Sequence, residues 1–357
     1  MIARIAKASL IRARQALIIL LITFGLTEIT FRVYNFFRPS FIFYEPSYNR
    51  FRGKPYAPEY DFHLNSKGFK DVEFNEEKEA GTYRILGLGD SFAFGVVPYQ
   101  DNYLTLLEEN LNRGGKKTEV INMGIPGIGP KDYLSLLVDE GLKLKPDMVF
   151  VSFFIGNDFP QEGERRQLIY YSHVASFIAY VIAISKGYEG RIVHGAGTYD
   201  DKAPSFTEQR FDEIETDRSY IFDKRSTQFT RDFETTVKIL IKIKQICDER
   251  HIALTFALIP DEEQVNPTVQ ARVLKIREAD SRPDDFDFAL PNRLLATKLK
   301  ELNIPCLDLL DEFGRTQSQT VLYKPRNTHW NIAGNHLAAE MIARELFHVS
   351  VRPGSSR

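Results

Sequence analysis

Four short segments of the chain carry residue types that could perform acyl-transfer chemistry. A serine hydroxyl can attack an ester carbonyl when an imidazole takes its proton. Backbone and amide N–H groups can hold the oxyanion that forms. The four segments are "GDS" (89–91) with Ser91, "INMGIPGIGP" (121–130) with Gly127, "IGNDF" (155–159) with Asn157 and "NTHWNIAGNH" (327–336) with His329. Together they predict a nucleophile, two oxyanion donors and a general base.

Taken singly, each of these residues has an ordinary structural explanation. A serine after Gly-Asp is common in a turn, where its hydroxyl caps the next helix. A lone histidine such as His329 is more often a hydrogen-bonded structural residue than a base. The co-occurrence of all four segments favours catalysis over these alternatives.

The elements that must position these residues can be read from the hydrophobic pattern. Five runs are apolar almost throughout, as strands buried on both faces of a parallel sheet are. They are "YRILGLG", "TEVINMG", "DMVFVSFFIG", "IALTFALIP" and "IPCLDLL", and segments of helical spacing alternate with them. This alternation predicts an α/β fold, a three-layer αβα sandwich around a mainly parallel five-stranded sheet. Ligands of such sheets bind outside the carboxyl ends of the strands, where the predicted site residues fall.

Charge and cysteine content limit the classes of partner. The chain has 46 Lys and Arg against 48 Asp and Glu, a net charge of -2, so we expect no nucleic-acid partner. Cys247 and Cys306 are far apart and form no zinc-binding pattern, so no metal or other cofactor is expected. Whether the two cysteines form a disulfide is left open by the sequence.

The amino-terminal segment resembles an export signal. Basic residues at positions 4, 7, 12 and 14 precede an apolar stretch that begins at Gln15. Glu28 interrupts this stretch before it reaches the ~20 residues that span a bilayer. In a continuing helix, however, Arg32 lies four residues after Glu28 and can pair with it near the outer interface.

We therefore expect an uncleaved single transmembrane helix rather than a removed signal peptide, since no cleavage site follows the apolar stretch. A third possibility is an amphipathic helix packed on a soluble domain. The positive-inside rule places the amino terminus in the cytoplasm and residues from about 39 onward outside it, in a periplasm or at the cell surface.

The predicted domain organisation follows from these elements. Residues 1–38 form a cytoplasmic basic segment and the anchor, 39–82 form a stalk that wraps the domain, 83–347 form the sandwich domain, and 348–357 form a tail. An insertion at about 160–225 interrupts the alternation of strands and helices. Within it, "HVASFIAYVIAISK" is apolar enough for a buried or membrane-facing helix. Connections of this length are usually lids, binding loops or disordered insertions. We expect a lid over the active site, with packing decoration as the alternative.

The four segments, in this order, resemble the conserved blocks of the SGNH (GDSL-type) hydrolases, over roughly residues 61–347. "HLNSKGF" is similar to the lead-in segment of their membrane-anchored bacterial members. The resemblance implies a flavodoxin-like SGNH fold with Ser91 as nucleophile and His329 as general base. It further implies an oxyanion hole made of the Ser91 and Gly127 N–H groups and the Asn157 amide.

One position departs from the family pattern. The family has a carboxylate two or three residues before the catalytic histidine, whereas this chain has Asn327 and Arg326. An asparagine carbonyl can orient an imidazole but gives no charge to stabilise the imidazolium. The sequence therefore predicts either a slow Ser-His enzyme with Asn327 as the third residue or an inactive domain that still binds glycan.

These expectations combine into one function and one alternative. The first is a membrane-anchored, extracytoplasmic serine ester hydrolase or O-acyltransferase that acts on acylated, in particular acetylated, carbohydrate through an acyl-serine intermediate. A membrane acyltransferase could be its partner. The alternative is a catalytically inactive SGNH-like protein that binds glycan or assists assembly in the cell envelope.

Overall fold

The computed structural model describes residues 2–37, 41–44, 52–113, 115, 117–159, 171–185, 198–278 and 282–349. The chain divides into two compact units. The first unit comprises residues 1–46 and 165–188, and the second comprises 47–164 and 189–357. Each is described by itself below.

Among its described residues, the second unit contains seven strands in two sheets. The strands are β1 (Pro58–Glu59), β2 (Phe62–His63), β3 (Tyr83–Gly89), β4 (Thr118–Asn122), β5 (Met148–Phe154), β6 (Ala253–Ile259) and β7 (Cys306–Asp308). The first two form an antiparallel pair, and the other five form a parallel sheet in the order β4-β3-β5-β6-β7. Because all five run parallel, their carboxyl ends meet at one edge, as the sequence predicts.

Thirteen helices are present in the described residues. In the first unit they are α1 (Ile2–Phe37), α2 (Phe41–Tyr44) and α6 (His173–Ser185). In the second unit they are α3 (Ser91–Phe94), α4 (Tyr103–Asn112), α5 (Pro130–Asp139), α7 (Glu208–Arg218), α8 (Thr227–Glu249), α9 (Glu262–Val265), α10 (Pro267–Arg277), α11 (Leu290–Glu301), α12 (Leu310–Gln317) and α13 (Ile332–Glu345). Short 3-10 turns cover Tyr99–Asp101, Gly141–Leu144, Ser219–Ile221 and Pro283–Asp285.

Both faces of the parallel sheet are covered. Ile85, Phe150 and Ala257 belong to a buried cluster that also contains residues of α4 and α13. The alternate residues Leu86 and Val149 are fully buried as well, as expected when successive side chains of a strand point to opposite faces. The helices α4 and α13 contact each other, and α5 contacts α8. The predicted three-layer αβα sandwich with a five-stranded parallel sheet is confirmed.

The described part of the predicted stalk packs closely against the sandwich. Lys70 is fully buried, and its Nζ donates to the carbonyls of Gly95 and Val97 at 2.8 and 2.6 Å. The same ammonium lies 3.4 Å from the buried carboxylate of Glu59. Burial lowers the pKa of Lys70 to about 8, and the adjacent Glu59 carboxylate opposes this. Lys70 therefore holds the loop that follows α3.

The first unit contains α1, α2 and α6. Residues Ile11–Phe37 of α1 are long and apolar enough to cross a membrane, by length and composition. None of this span is buried within the structure. A signal sequence near the amino terminus would have the same properties, so the single-pass anchor stays a prediction.

The described residues also bear on the remaining sequence predictions. The insertion at 160–225 contains two helices, α6 and α7, and its residues 160–170 and 186–197 lie outside the described residues. The sequence pattern did not predict α7, which begins after the capping residue Thr207 and buries Phe211. Most of the predicted tail also lies outside the described residues. Cys247 and Cys306 are free thiols.

Candidate active site

The nucleophile candidate stands where β3 ends, beside the central strand β5. Asp90 is the N-cap of α3, and its Oδ1 accepts a hydrogen bond from the Phe92 N–H at 2.8 Å. Ser91 is the first residue of this helix and is largely buried. A Cβ on Gly89 would lie 2.7 Å from that of Ala93, so only glycine lets α3 fold back so tightly. The abrupt turn thus presents the Ser91 side chain at the sheet edge.

The base candidate lies on the loop between α12 and α13. An isolated bridge between Tyr323 and Trp330 closes this loop, and the Lys324 N–H donates to the His329 carbonyl at 3.0 Å. Trp330 is buried and packs against Phe92, with ring centroids 5.0 Å apart. The Phe92 ring also lies 5.0 Å from the imidazole of His329. These contacts tie the loop to the helix that begins with Ser91.

The three predicted residues form a continuous hydrogen-bonded chain. His329 Nε2 lies 2.6 Å from Ser91 Oγ, and His329 Nδ1 lies 2.6 Å from Asn327 Oδ1. The His329 backbone N–H also donates to Asn327 Oδ1, at 3.1 Å. Because a backbone N–H can only donate, it fixes the oxygen of the Asn327 amide toward the imidazole. Nδ1 then carries the proton, and the lone pair of Nε2 faces the serine hydroxyl.

The other end of the Asn327 amide is held by a residue that the sequence analysis missed. Asn327 Nδ2 donates to Ser205 Oγ at 2.6 Å. Two backbone bonds fix this contact, since the N–H groups of Ser205 and Phe206 donate to the carbonyls of Pro325 and Arg326. A separation of 122 residues left no local signal for this pairing. The described insertion therefore supports the histidine loop.

The expected oxyanion donors occupy loops that follow β3, β4 and β5. Among the residues that the structure describes, no acceptor is bonded to the backbone N–H of Ser91 or of Gly127. Gly127 is exposed and has a φ of 75°, a conformation that favours glycine. Asn157 is partly buried, and its side chain is hydrogen-bonded to Asp90. Their roles as oxyanion donors remain predictions.

Two buried carboxyl groups support these loops. Burial raises the pKa of Asp90 to about 6, against hydrogen bonds from Phe92 and Asn157 and the charge of Arg218. Burial raises the pKa of Asp158 well above its usual range, and the charge of Asp90 adds to this. Asp158 Oδ2 accepts the Phe154 N–H at 2.9 Å, and Tyr133 donates its hydroxyl to the same carboxyl. Both groups therefore stabilise the turns.

Arg218 is a second residue that the sequence analysis missed. It lies at the end of α7, and its guanidinium carbon is 5.3 Å from the centroid of the Phe154 ring. Its Nη1 is 3.5 Å from Asp261 and 3.8 Å from Glu215, both fully buried carboxylates. Its guanidinium thus lies beside two buried carboxyl groups, and burial raises the pKa of Glu215 well above its usual range.

Comparisons with known proteins give fold neighbours only. No protein-family model matches the sequence, and no curated protein matches it. An acetyl xylan esterase structure is 17% identical over 72% of this chain and 97% of that chain, with a TM-score of 0.42. A member of the lipolytic G-D-S-L family from Veillonella parvula is 13% identical over 75% and 100%, with a TM-score of 0.40. An acetylxylan esterase from Geobacillus stearothermophilus is 14% identical over 74% and 94%, with a TM-score of 0.42.

A protein described as a member of the lipolytic G-D-S-L family is thus among the solved structures that this chain resembles. The chain is similar to these proteins in fold.

Proposed function

We propose that this chain is a serine esterase that cleaves acyl esters of carbohydrate through an acyl-Ser91 intermediate. The observation that carries the proposal is the hydrogen-bonded chain from Ser91 Oγ through the His329 imidazole to Asn327 Oδ1, with both contacts at 2.6 Å. A buried serine hydroxyl facing an imidazole lone pair is the arrangement that activated serine nucleophiles require. We take the alcohol half of the ester to be a carbohydrate, as the names of two similar structures, both acetyl xylan esterases, suggest.

The first step forms the acyl-enzyme. Ser91 Oγ attacks the ester carbonyl carbon while its proton moves to His329 Nε2. Asn327 Oδ1 keeps the Nδ1 proton in place, so the ring retains the correct tautomer as it becomes an imidazolium. The Ser91 and Gly127 N–H groups and the Asn157 amide hold the oxyanion. Collapse of the tetrahedral intermediate expels the alcohol, which takes the proton from Nε2.

The second step regenerates the serine. A water molecule, or a hydroxyl of a second sugar, loses its proton to His329 Nε2 and attacks the acyl carbonyl. The Ser91–acyl bond then breaks, and Oγ recovers the proton. Attack by water gives an esterase, whereas attack by a sugar gives an O-acyltransferase. The same residues serve both outcomes, and in the transferase role the proposed partner is a membrane acyltransferase.

The proposed location is the outer face of a membrane. The helix Ile11–Phe37 supports an anchor by its length and composition. The four basic residues before Gln15 favour a cytoplasmic amino terminus, which would place the serine esterase in the periplasm or at the cell surface.

Turnover of 4-nitrophenyl acetate and of acetylated xylo-oligosaccharides by the detergent-solubilised full chain tests the proposal. We expect acetate release that falls to background in Ser91→Ala and in His329→Ala. Lys275→Ala, at an exposed position outside the site, should retain activity. Release that persists in Ser91→Ala would contradict the assignment.

A second candidate function rests on Asn327. Its amide cannot stabilise an imidazolium by charge. An inactive SGNH-like domain that binds glycan or assists assembly is therefore the alternative. Specific glycan binding with no acetate release from any ester would support it.

A further inference from the structure

Glu28, the charged residue within the apolar stretch of α1, is held by the start of α6. Its carboxylate accepts hydrogen bonds from the Ser172 hydroxyl at 2.8 Å and from the backbone N–H groups of His173 and Val174, each at 3.0 Å. Arg32 Nε donates to the same carboxylate at 2.8 Å and Arg32 Nη2 to the Tyr171 carbonyl at 2.7 Å. A charge that is expensive in an apolar phase is thereby compensated.

Aromatic contacts extend this pairing of α1 with α6. The rings of Phe31 and Phe177 lie 5.1 Å apart, and Asn35 Nδ2 lies 3.3 Å from His173 Nε2. Residues 28, 31, 32 and 35 recur at helical spacing, so α1 uses one stripe to contact α6. The two helices form a pair within the first unit.

Another face of α6 is apolar and uncovered in the described residues. Ile178, Val181 and Ile182 are between 46% and 51% exposed, and their spacing places them on one side of the helix. The helix HVASFIAYVIAIS contains no Asp, Glu, Lys or Arg. Three adjacent apolar side chains on one face would be costly to leave in water.

The position of Glu28 indicates what covers this face. Glu28 lies 13 residues after Gln15, where the apolar stretch begins, or about 20 Å along a helix that rises 1.5 Å per residue. If the apolar stretch begins at the inner boundary, Glu28 lies in the outer half of the ~30 Å hydrocarbon core, and so does the start of α6. With 13 residues, about 20 Å, α6 is too short to cross the bilayer itself.

We infer that α6 is a second membrane-contacting element, whose exposed face of Ile178, Val181 and Ile182 packs against lipid acyl chains of the outer leaflet. This inference rests on the proposed anchoring by α1. The occupant is lipid rather than protein because α6 belongs to the same unit as the candidate span, none of which is fully buried in the structure. A short apolar helix in the interface adds affinity to a single-helix anchor.

Site-specific fluorescence in vesicles tests the inference on the full chain. The background carries Cys247→Ala and Cys306→Ala, and single cysteines labelled with an environment-sensitive nitrobenzoxadiazole dye are placed by Ile178→Cys and, on the same face, Ile182→Cys. Leu20→Cys in α1 is the matched control for the anchor, and Lys275→Cys is the control for exposure to water. The protein is reconstituted in phosphatidylcholine vesicles with or without doxyl-labelled phosphatidylcholine.

We expect blue-shifted emission at Ile178→Cys and Ile182→Cys, with a loss of intensity in doxyl vesicles that equals the loss at Leu20→Cys. Quenching at position 20 with water-like emission at both α6 positions would overturn the inference while leaving the anchor intact. Blue-shifted emission at the α6 positions without lipid quenching would indicate a protein partner or a second copy, and would also overturn it. Absence of quenching at position 20 as well would show that the anchor itself is wrong.

Discussion

His329 Nε2 lies 2.6 Å from Ser91 Oγ, although 238 residues separate the two in the chain. The parallel sheet accounts for this proximity. Ser91 follows β3, and the Tyr323–Trp330 bridge together with the packing of Trp330 on Phe92 brings the histidine loop to the same edge. The contact therefore depends on the fold rather than on local sequence.

The first prediction concerns the missing carboxylate. Asn327→Asp should raise kcat about tenfold or more, because a carboxylate stabilises the imidazolium, and the reverse change costs about 10⁴ in a Ser-His-Asp triad. The acid limb of the pH–rate profile should move to higher pH, because a nearby anion favours the protonated imidazole. Asn327→Leu, which has a similar size but no acceptor, should lose activity. Equal kcat for all three proteins would exclude a role for residue 327.

Ser205 is predicted to act as a positioning residue for Asn327. Loss of its hydrogen bond in Ser205→Ala should lower kcat about fivefold, the equivalent of about 1 kcal/mol, with little change in KM. Ser205→Thr keeps the hydroxyl and should restore most of kcat. Steady-state kinetics on folded proteins check this, and a threonine variant as slow as the alanine variant would argue against the hydrogen bond.

Asn157 provides the test of the oxyanion hole. Asn157→Ala should lower kcat by about 10²–10³ while KM changes little, because the amide is needed mainly in the transition state. Asn112→Ala removes an exposed amide at the end of α4 and should leave kcat unchanged. A loss in Asn157→Ala that appears only in KM would assign this side chain to substrate binding instead.

Asp71 makes stability depend on pH. Its buried carboxyl accepts N–H bonds from Asn122 and Val72 at 2.7 and 2.8 Å, and burial raises its pKa to about 7. Between about pH 4 and pH 7 the folded protein keeps a proton that the unfolded chain has lost, so this contribution to stability falls as pH rises, by up to about 4 kcal/mol.

Asp71→Asn should remove this contribution. We expect the free energy of unfolding of the variant to decline less than that of the wild type between about pH 4 and pH 7, as measured by urea unfolding. Parallel declines in the two proteins would mean that Asp71 is ionised in the folded state throughout this range.

The sheet could be predicted from the sequence because strands buried on both faces are apolar almost throughout. Ser91 and Asn157 could be placed for the same reason, since each follows such a strand. His329 was predicted from its own motif, and Asn327 from its position two residues earlier.

Other features could not be predicted because their signals are not local. Ser205 lies next to Asn327 because backbone hydrogen bonds hold a polar part of the insertion against the histidine loop. In the sequence, a serine after a proline indicates only a turn. Arg218 lies on a helix whose buried residues are few, so its hydrophobic pattern is weak. The hydrogen bonds between Glu28 and the start of α6 join segments that are 145 residues apart in the chain.

The central claim is that Ser91 is an activated nucleophile, and labelling with a fluorophosphonate tests it most directly. Such probes form a covalent bond with a serine oxygen only when a base activates it. We predict one phosphonyl group per chain, located on Ser91 by peptide mass spectrometry, and no label in Ser91→Ala or His329→Ala. An unlabelled wild-type protein, or a label on Ser91 that is undiminished in His329→Ala, would contradict the account.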